Sequence, residues 1–154
     1  MDREVHQTQW AGQFGVAHEM TRRGYLVTFT MGNAPTTDLL CKSPHGVEFS
    51  VQVKSLRSKN YFLYQDSLLN TSSNLFFVFV LVPTTIGFNN LNPPEYFILN
   101  KQQFLKVVDE EKYRAIEEEK KRGRPFAKFS PGINYLSFAS DFRPLALVQD
   151  FQYL

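Results

Sequence analysis

Four side chains have the types and the order that chemistry on a phosphate requires: Glu19, Asp38, Gln52 and Lys54. Carboxylate oxygens are hard ligands suited to Mg²⁺, which keeps several waters and takes few protein carboxylates. A glutamine side-chain oxygen adds a neutral ligand. A lysine beside such a metal orients a water and stabilises charge at the scissile phosphate. The metal polarises a phosphate oxygen and lowers the pKa of a bound water. The group therefore suits hydrolysis of a phosphodiester. Singly, each residue also has a plain structural role. Glu19 can pair with Arg23 one helical turn on. Asp38 can open a strand after a turn. Gln52 and Lys54 can form the wet face of an antiparallel strand. Their joint order is what points to a site.

Periodicity names the elements that must carry these residues. Residues 7–23 read as a helix, with Trp10, Phe14, Ala17 and Thr21 in one stripe and Gly24 as its stop. Gly12, Gly15 and Glu19 fall near a second stripe. Glycine in a helix costs about 1 kcal/mol relative to alanine, and close packing on a sheet is a reason to keep it. Residues 25–30 read as a strand, followed by a turn at Met31–Pro35. TDLLCK and VEFSVQVKS read as two strands joined through SPHG. In the second, Val47, Phe49, Val51 and Val53 alternate with Glu48, Ser50, Gln52 and Lys54, so one face meets the core and the other meets solvent or a cleft.

If Lys42 lies opposite Glu48, an opposite-charge pair forms across the strands. That register sets Asp38 opposite Gln52, on the face of Lys54, and needs a five-residue loop or a bulge. A tight turn on Pro44–His45 would shift it by one and turn Asp38 to the other face. Further on, residues 60–71 suggest a loop and a short helix. The apolar run 75–82 suggests a strand buried on both faces. A loop at 84–94, a strand at 95–100 and a long helix at 101–122 follow. Residues 128–136 read as loop or strand, and 141–151 as a final helix with Pro144 in its first turn.

A chain of 154 residues without repeat or linker is expected to form a single domain over 1–154. With 43% hydrophobic and 15% aromatic residues, disorder is excluded. One cysteine excludes an intramolecular disulfide and a cysteine-based metal cage. Cys41, flanked by apolar residues, is expected to be a core thiol. The three histidines show no ligand spacing, and neither a phosphate-binding P-loop nor a dinucleotide fingerprint is present. A net charge of +2 permits a nucleic-acid partner without requiring one. The N-terminus has no signal-peptide core, and the longest apolar run is far below the ~20 residues of a membrane span. These features imply a cytoplasmic protein with no membrane partner.

The stretches GQFGVAHE, TTDLL and VQVKS, in that order over residues 10–82, resemble the PD-(D/E)XK nuclease superfamily, which includes restriction endonucleases and Holliday-junction-resolvase-like proteins. The resemblance implies an α/β core of order α-β-β-β-α-β, a mixed central sheet flanked by helices, with residues 84–154 as an extra strand and helices. It implies Mg²⁺ or Mn²⁺ as cofactor and DNA as substrate. Asp38 would be the central metal ligand, with Gln52 in the place of the second acid and Lys54 as the motif lysine. Glu19 would match the helix glutamate of a subset of the superfamily, and the carbonyl of Val53 would be a further ligand. Ser55, Arg57 and Lys59, which follow Lys54 in the sequence, suit either backbone phosphate contacts or a solvated loop. Thr37 departs from the pattern by replacing a proline, and Gln52 by replacing an acid. The second change should weaken metal binding. The expected function is Mg²⁺-dependent cleavage of DNA, with a homodimer possible because two strands need two sites. The alternative is a catalytically silent module of the same fold that binds nucleic acid or a protein partner, in a defence or toxin–immunity setting.

Overall fold

The computed structural model describes residues 3–83, 92–125 and 132–141. The first element is helix α1 (Arg3–Thr21). Strands β1 (Leu26–Phe29), β2 (Leu39–Lys42) and β3 (Glu48–Leu56) follow. Next come the short strand β4 (Tyr61–Leu63), one 3-10 turn at Asp66–Asn70, and strands β5 (Leu75–Leu81) and β6 (Glu95–Leu99). Helix α2 (Lys101–Arg122), strand β7 (Gly132–Asn134) and helix α3 (Tyr135–Asp141) complete the described chain.

Five strands form a mixed sheet in the order β1-β2-β3-β5-β6, and β4 pairs with β7 in a separate ribbon. Strands β3 and β5 run parallel; the other pairs are antiparallel. One sheet face carries α1, through Val16 and Met20 on Val51, Val53, Val78, Val80 and Ile98. The opposite face carries α2 and the small ribbon, packed on Phe77, Phe79, Phe97 and Leu99. The fold is therefore α/β, and β5 is buried on both faces, as its unbroken apolar run demands.

Two elements differ from the expectation. In α1 the buried residues are Thr8, Gly12, Val16, Ala17 and Met20, so of the expected stripe Ala17 is buried, while Phe14 is 56% exposed. The cause is close approach to the sheet. A Cβ on Gly12 would overlap the Ser55 hydroxyl, and one on Gly15 would lie 2.6 Å from the Tyr96 hydroxyl. The aromatic stripe turns aside and stacks at the sheet edge, Trp10 on Phe14 at 5.3 Å and Phe14 against Phe29 at 5.4 Å. Gly12→Ala should therefore destabilise the fold by about 1–3 kcal/mol, the usual range for overpacking. Ser55→Ala, which deletes a buried hydroxyl that has no partner among the described residues, should be neutral or stabilising and should recover part of that loss in the double variant. Urea denaturation of the three variants checks both statements.

The second difference is the connection from β3 to β5. The short helix expected in residues 60–71 is a single 3-10 turn, preceded by a strand, so no α-helix joins the two parallel strands. Phe62, Tyr64 and Leu68 act as separate anchors in the core under α2. The Lys101 ammonium ties the turn down, donating to the carbonyls of Leu68 and Leu69 and to the Thr71 hydroxyl at 3.0, 2.7 and 2.9 Å. α2 spans the expected residues, started by a capping box between Asn100 and Gln103 and ended by Gly123 at φ 68°. The loop expected at 84–94 lies outside the described residues over 84–91. So does the segment expected at 128–136 over 128–131, and the expected final helix beyond Asp141. Among the described residues no helix is long and apolar enough to cross a membrane.

Candidate functional site

The hairpin register decides which face of β3 meets Asp38. Lys42 is the partner of Glu48, Cys41 of Phe49, Leu40 of Ser50 and Leu39 of Val51. The loop is the five residues Ser43–Val47, closed by Ser43 N–H to the Val47 carbonyl at 2.8 Å and turned by Gly46 at φ 87°. Lys42 and Glu48 lie 3.8 Å apart. The charge-pairing register is therefore the one adopted, and Asp38 falls across from Gln52.

At Asp38 the ladder between β2 and β3 stops using backbone. The Asp38 N–H still donates to the Val51 carbonyl at 2.9 Å. The Val53 N–H donates instead to the carboxylate, 2.7 Å from Asp38 Oδ2. The Gln52 amide donates to the same oxygen at 2.7 Å, with the Val53 carbonyl 3.5 Å from that nitrogen. On Oδ1 there is one long contact, 3.4 Å from Gln13 Nε2 on α1. Asp38 thus joins two strands and a helix where β2 and β3 begin to part.

Gln52 is 7% exposed and Lys54 is half-buried, so their face of β3 is no solvated surface. Their Cα partners on β5 are Phe77 and Phe79, and Phe104 of α2 stacks on Phe77 at 4.0 Å. This aromatic wall removes water. Burial raises the Asp38 carboxyl above the usual carboxylate value, opposed by the Val53 N–H, the Lys54 charge and Gln52. Burial lowers the Lys54 ammonium, opposed by Asp38. Among the described residues Lys54 has no hydrogen bond or ion pair, and attraction to Asp38 is the one interaction acting on its charge. On the other side the sheet is open: Leu40, two residues on from Asp38 on the same face, is 51% exposed, and Leu26 on β1 is 70% exposed.

Asp38, Gln52, Lys54 and the Val53 backbone are therefore brought together. Glu19 is not. Its carboxylate is bonded to Arg23 and lies 3.5 Å from Arg22, and the Arg23 bond keeps it below its ordinary value. Its charge is felt by Tyr96 on β6, three strands away from β2. The intrahelical ion pair is the role realised. Gln13 takes the helix position in the site; six residues and about 240° of helix separate it from Glu19. The available sequence signal was that Gln13 lies between Gly12 and Gly15, the helix glycines expected to pack closely on the sheet. Of the expected phosphate contacts, the Ser55 hydroxyl is buried under α1. Arg57 pairs with Glu4, and Lys59 lies over the Tyr135 ring at 5.3 Å.

Asp38, a Gln52 side-chain oxygen and the Val53 carbonyl are the groups here that could hold a hard divalent cation. Asp38 keeps Oδ1 nearly free, and the Gln52 amide sits where Asp38 Oδ2 and the Val53 carbonyl converge, the positive end of its dipole toward both oxygens. An amide turned over would present oxygen at the same place. Asp38 would be the one charged ligand. Among the described residues no three His, Cys, Asp or Glu side chains gather. A groove of about 960 Å³ between α2 and the β4–β7 ribbon is lined by none of Asp38, Gln52, Val53 and Lys54.

Cys41, on β2, faces α1 and is 5% exposed; burial pushes its thiol to about 12. The native protein should resist an aromatic disulfide reagent at pH 8 and react fully once unfolded, since roughly one thiol in 10⁴ is ionised there. Fast labelling of the folded chain would contradict this burial.

No protein-family model matches the chain, and no curated protein matches it.

Proposed function

We propose that the chain is a metal-dependent phosphodiesterase of the PD-(D/E)XK kind, cleaving DNA at Asp38, Gln52 and Lys54. The observation that carries this reading is the meeting of the Asp38 carboxylate, the Gln52 side chain, the Val53 carbonyl and a half-buried Lys54 beside an open sheet face. Asp38, the side-chain oxygen of Gln52 and the Val53 carbonyl would hold Mg²⁺ or Mn²⁺. Bound there, the metal would polarise a phosphate oxygen and activate a water.

The protein's own groups account for the rest. Lys54 has no competing partner among the described residues, so its ammonium is available to a phosphate oxygen or to the attacking water. Burial weakens its hold on the proton and strengthens its field at the site. The Val53 N–H and the Gln13 amide hold the carboxylate in place from two sides. The uncovered β1–β2 face admits a polymer, which a closed small-molecule pocket would not.

Nicking of supercoiled plasmid with Mg²⁺ or Mn²⁺ tests the proposal. Wild type should nick, and Lys54→Ala should lose on the order of 10²–10³ in rate. Equal nicking by both would reject Lys54 and with it the assignment. A second reading, a silent module that binds nucleic acid or a protein, is favoured by the two amides beside Asp38 where acids would bind metal better. It predicts binding of DNA without cleavage and without metal dependence.

A further inference from the structure

We propose that the hollow between α1 and β1 seats an unpaired nucleobase and its phosphate, so that the site at Asp38 acts on single-stranded or frayed DNA in preference to closed duplex. The substrate preference rests on the phosphodiesterase reading; the base seat does not. Three aromatic rings meet at this edge of the sheet. Trp10 stacks on Phe14 with centroids 5.3 Å apart and planes at 28°. Phe29 of β1 meets Phe14 edge on at 5.4 Å. Gly12 and Gly15 take the contact with the sheet, which leaves Phe14 56% exposed. An exposed ring already held in a stack loses little freedom when a further flat ring joins it.

The hollow measures about 430 Å³ and is lined by Phe14, Ala17, His18, Thr21, Arg22 and Phe29. Trp10 lies one helical turn before Phe14, and the other helix residues of the hollow follow it. Trp10 therefore takes one face of the ring and the hollow opens on the other. Ala17 and Thr21 are small, which keeps that space clear. Among the described residues no carboxylate lines the hollow, whereas the Arg22 side chain at its rim is 62% exposed. Glu19 stands 3.5 Å from Arg22 and is bonded more closely to Arg23. An aromatic face beside a cation suits a nucleotide: the face takes the base and the guanidinium its phosphate. A base inside a duplex has both faces covered by its neighbours, so closed duplex must unstack before it can enter. The hollow also adjoins the site. Gln13, between Trp10 and Phe14 in the chain, lies 3.4 Å from Asp38 Oδ1. Thr30, next after Phe29, donates its N–H to the Asp38 carbonyl at 3.0 Å. A strand anchored here by one base carries its neighbouring phosphates toward Asp38.

Trp10 is the one tryptophan of the chain, so its fluorescence reports the seat directly. On the full chain, with EDTA in place of metal, a thymidine oligonucleotide should quench Trp10 saturably. An abasic oligonucleotide with the same phosphates should not. By anisotropy of the labelled thymidine strand, Phe14→Leu keeps apolar bulk without a ring and should weaken binding about 5- to 150-fold. Phe14→Tyr should bind as wild type does. Arg22→Ala should weaken binding and flatten its salt dependence by about one phosphate. Phe14 is exposed, so both of its variants should fold. With Mg²⁺, wild type should cut a single strand roughly tenfold faster than the same sequence fully paired, and Phe14→Leu should erase that preference. Equal affinity for thymidine and abasic strands would overturn the seat, as would wild-type affinity in Phe14→Leu or no oligonucleotide binding at all. Saturable quenching of Trp10 without cleavage of any strand would leave the seat standing and remove the phosphodiesterase reading. Equal cleavage of single-stranded and paired DNA, unaltered in Phe14→Leu, would overturn the preference and leave the phosphodiesterase reading standing.

Discussion

Asp38→Asn is expected to abolish nicking and, at pH 7, to raise the melting temperature. The first effect follows from loss of the one charged ligand, on the order of 10²–10³ in rate. The second follows from burial. The folded state holds the Asp38 proton more tightly than the unfolded chain, because burial outweighs the Val53, Lys54 and Gln52 contributions. Stability from this group is therefore fully present below the unfolded value, 3.8, and is lost as pH rises through the raised folded value. At neutral pH the ionised carboxylate is held against its solvation preference. Asparagine keeps an oxygen for the Val53 N–H and the Gln52 amide without the charge. Thermal melts across pH should show the variant ahead of wild type at pH 7, with the gap closing toward pH 4. A lower melting temperature for the variant at every pH would show that the carboxylate's hydrogen bonds outweigh its desolvation. The trade is the usual one at a working site, where function retains a charge that folding would discard.

Phe104→Ala should cost about 3–5 kcal/mol of stability, the range for a buried phenylalanine. That is a large share of the roughly 5–15 kcal/mol a domain possesses. Phe104 is fully buried in the first turns of α2. It stacks on Phe77 at 4.0 Å and lies 5.7 Å, edge on, from Tyr64. It holds α2 to the sheet and the crossover to α2. Because Phe77 and Phe79 flank Gln52 and Lys54 on the sheet, the same change should admit water beside the site and let the Lys54 pKa climb toward its ordinary 10.5. Denaturation curves measure the first effect. The second is read by NMR titration of the lysine ammonium in Phe104→Leu, which keeps enough volume to fold.

The asparagine and phenylalanine variants probe the same fact from opposite sides. The polar residues of β3 lie against an aromatic layer contributed by distant segments. Alternation along VEFSVQVKS identified their shared face but described it as solvent or cleft. Gln52 is in fact 7% exposed. Its cover comes from Phe77, Phe79 and Phe104, between 25 and 52 residues further along the chain, and no local pattern encodes that.

Some features needed no tertiary information. The apolar run of β5 and the long helical run of α2 are local signals, and they bound β5 and α2 within a residue. The hairpin register was legible only as one of two: the Lys42–Glu48 charge pair pointed to it, a tight turn on Pro44–His45 stayed open, and the structure adopts the charge-pairing one. From it came the meeting of Asp38 with Gln52. Tertiary structure decided the rest. Which stripe of α1 is buried depended on how closely a helix can approach a sheet, and glycines outbid aromatics for that contact. This rotation of α1 brought Gln13 to Asp38 and left Glu19 to its arginines. The β4–β7 pairing joins segments about 70 residues apart, and its strands of three residues are too short to announce themselves. Periodicity reports a face, and only packing decides what that face meets.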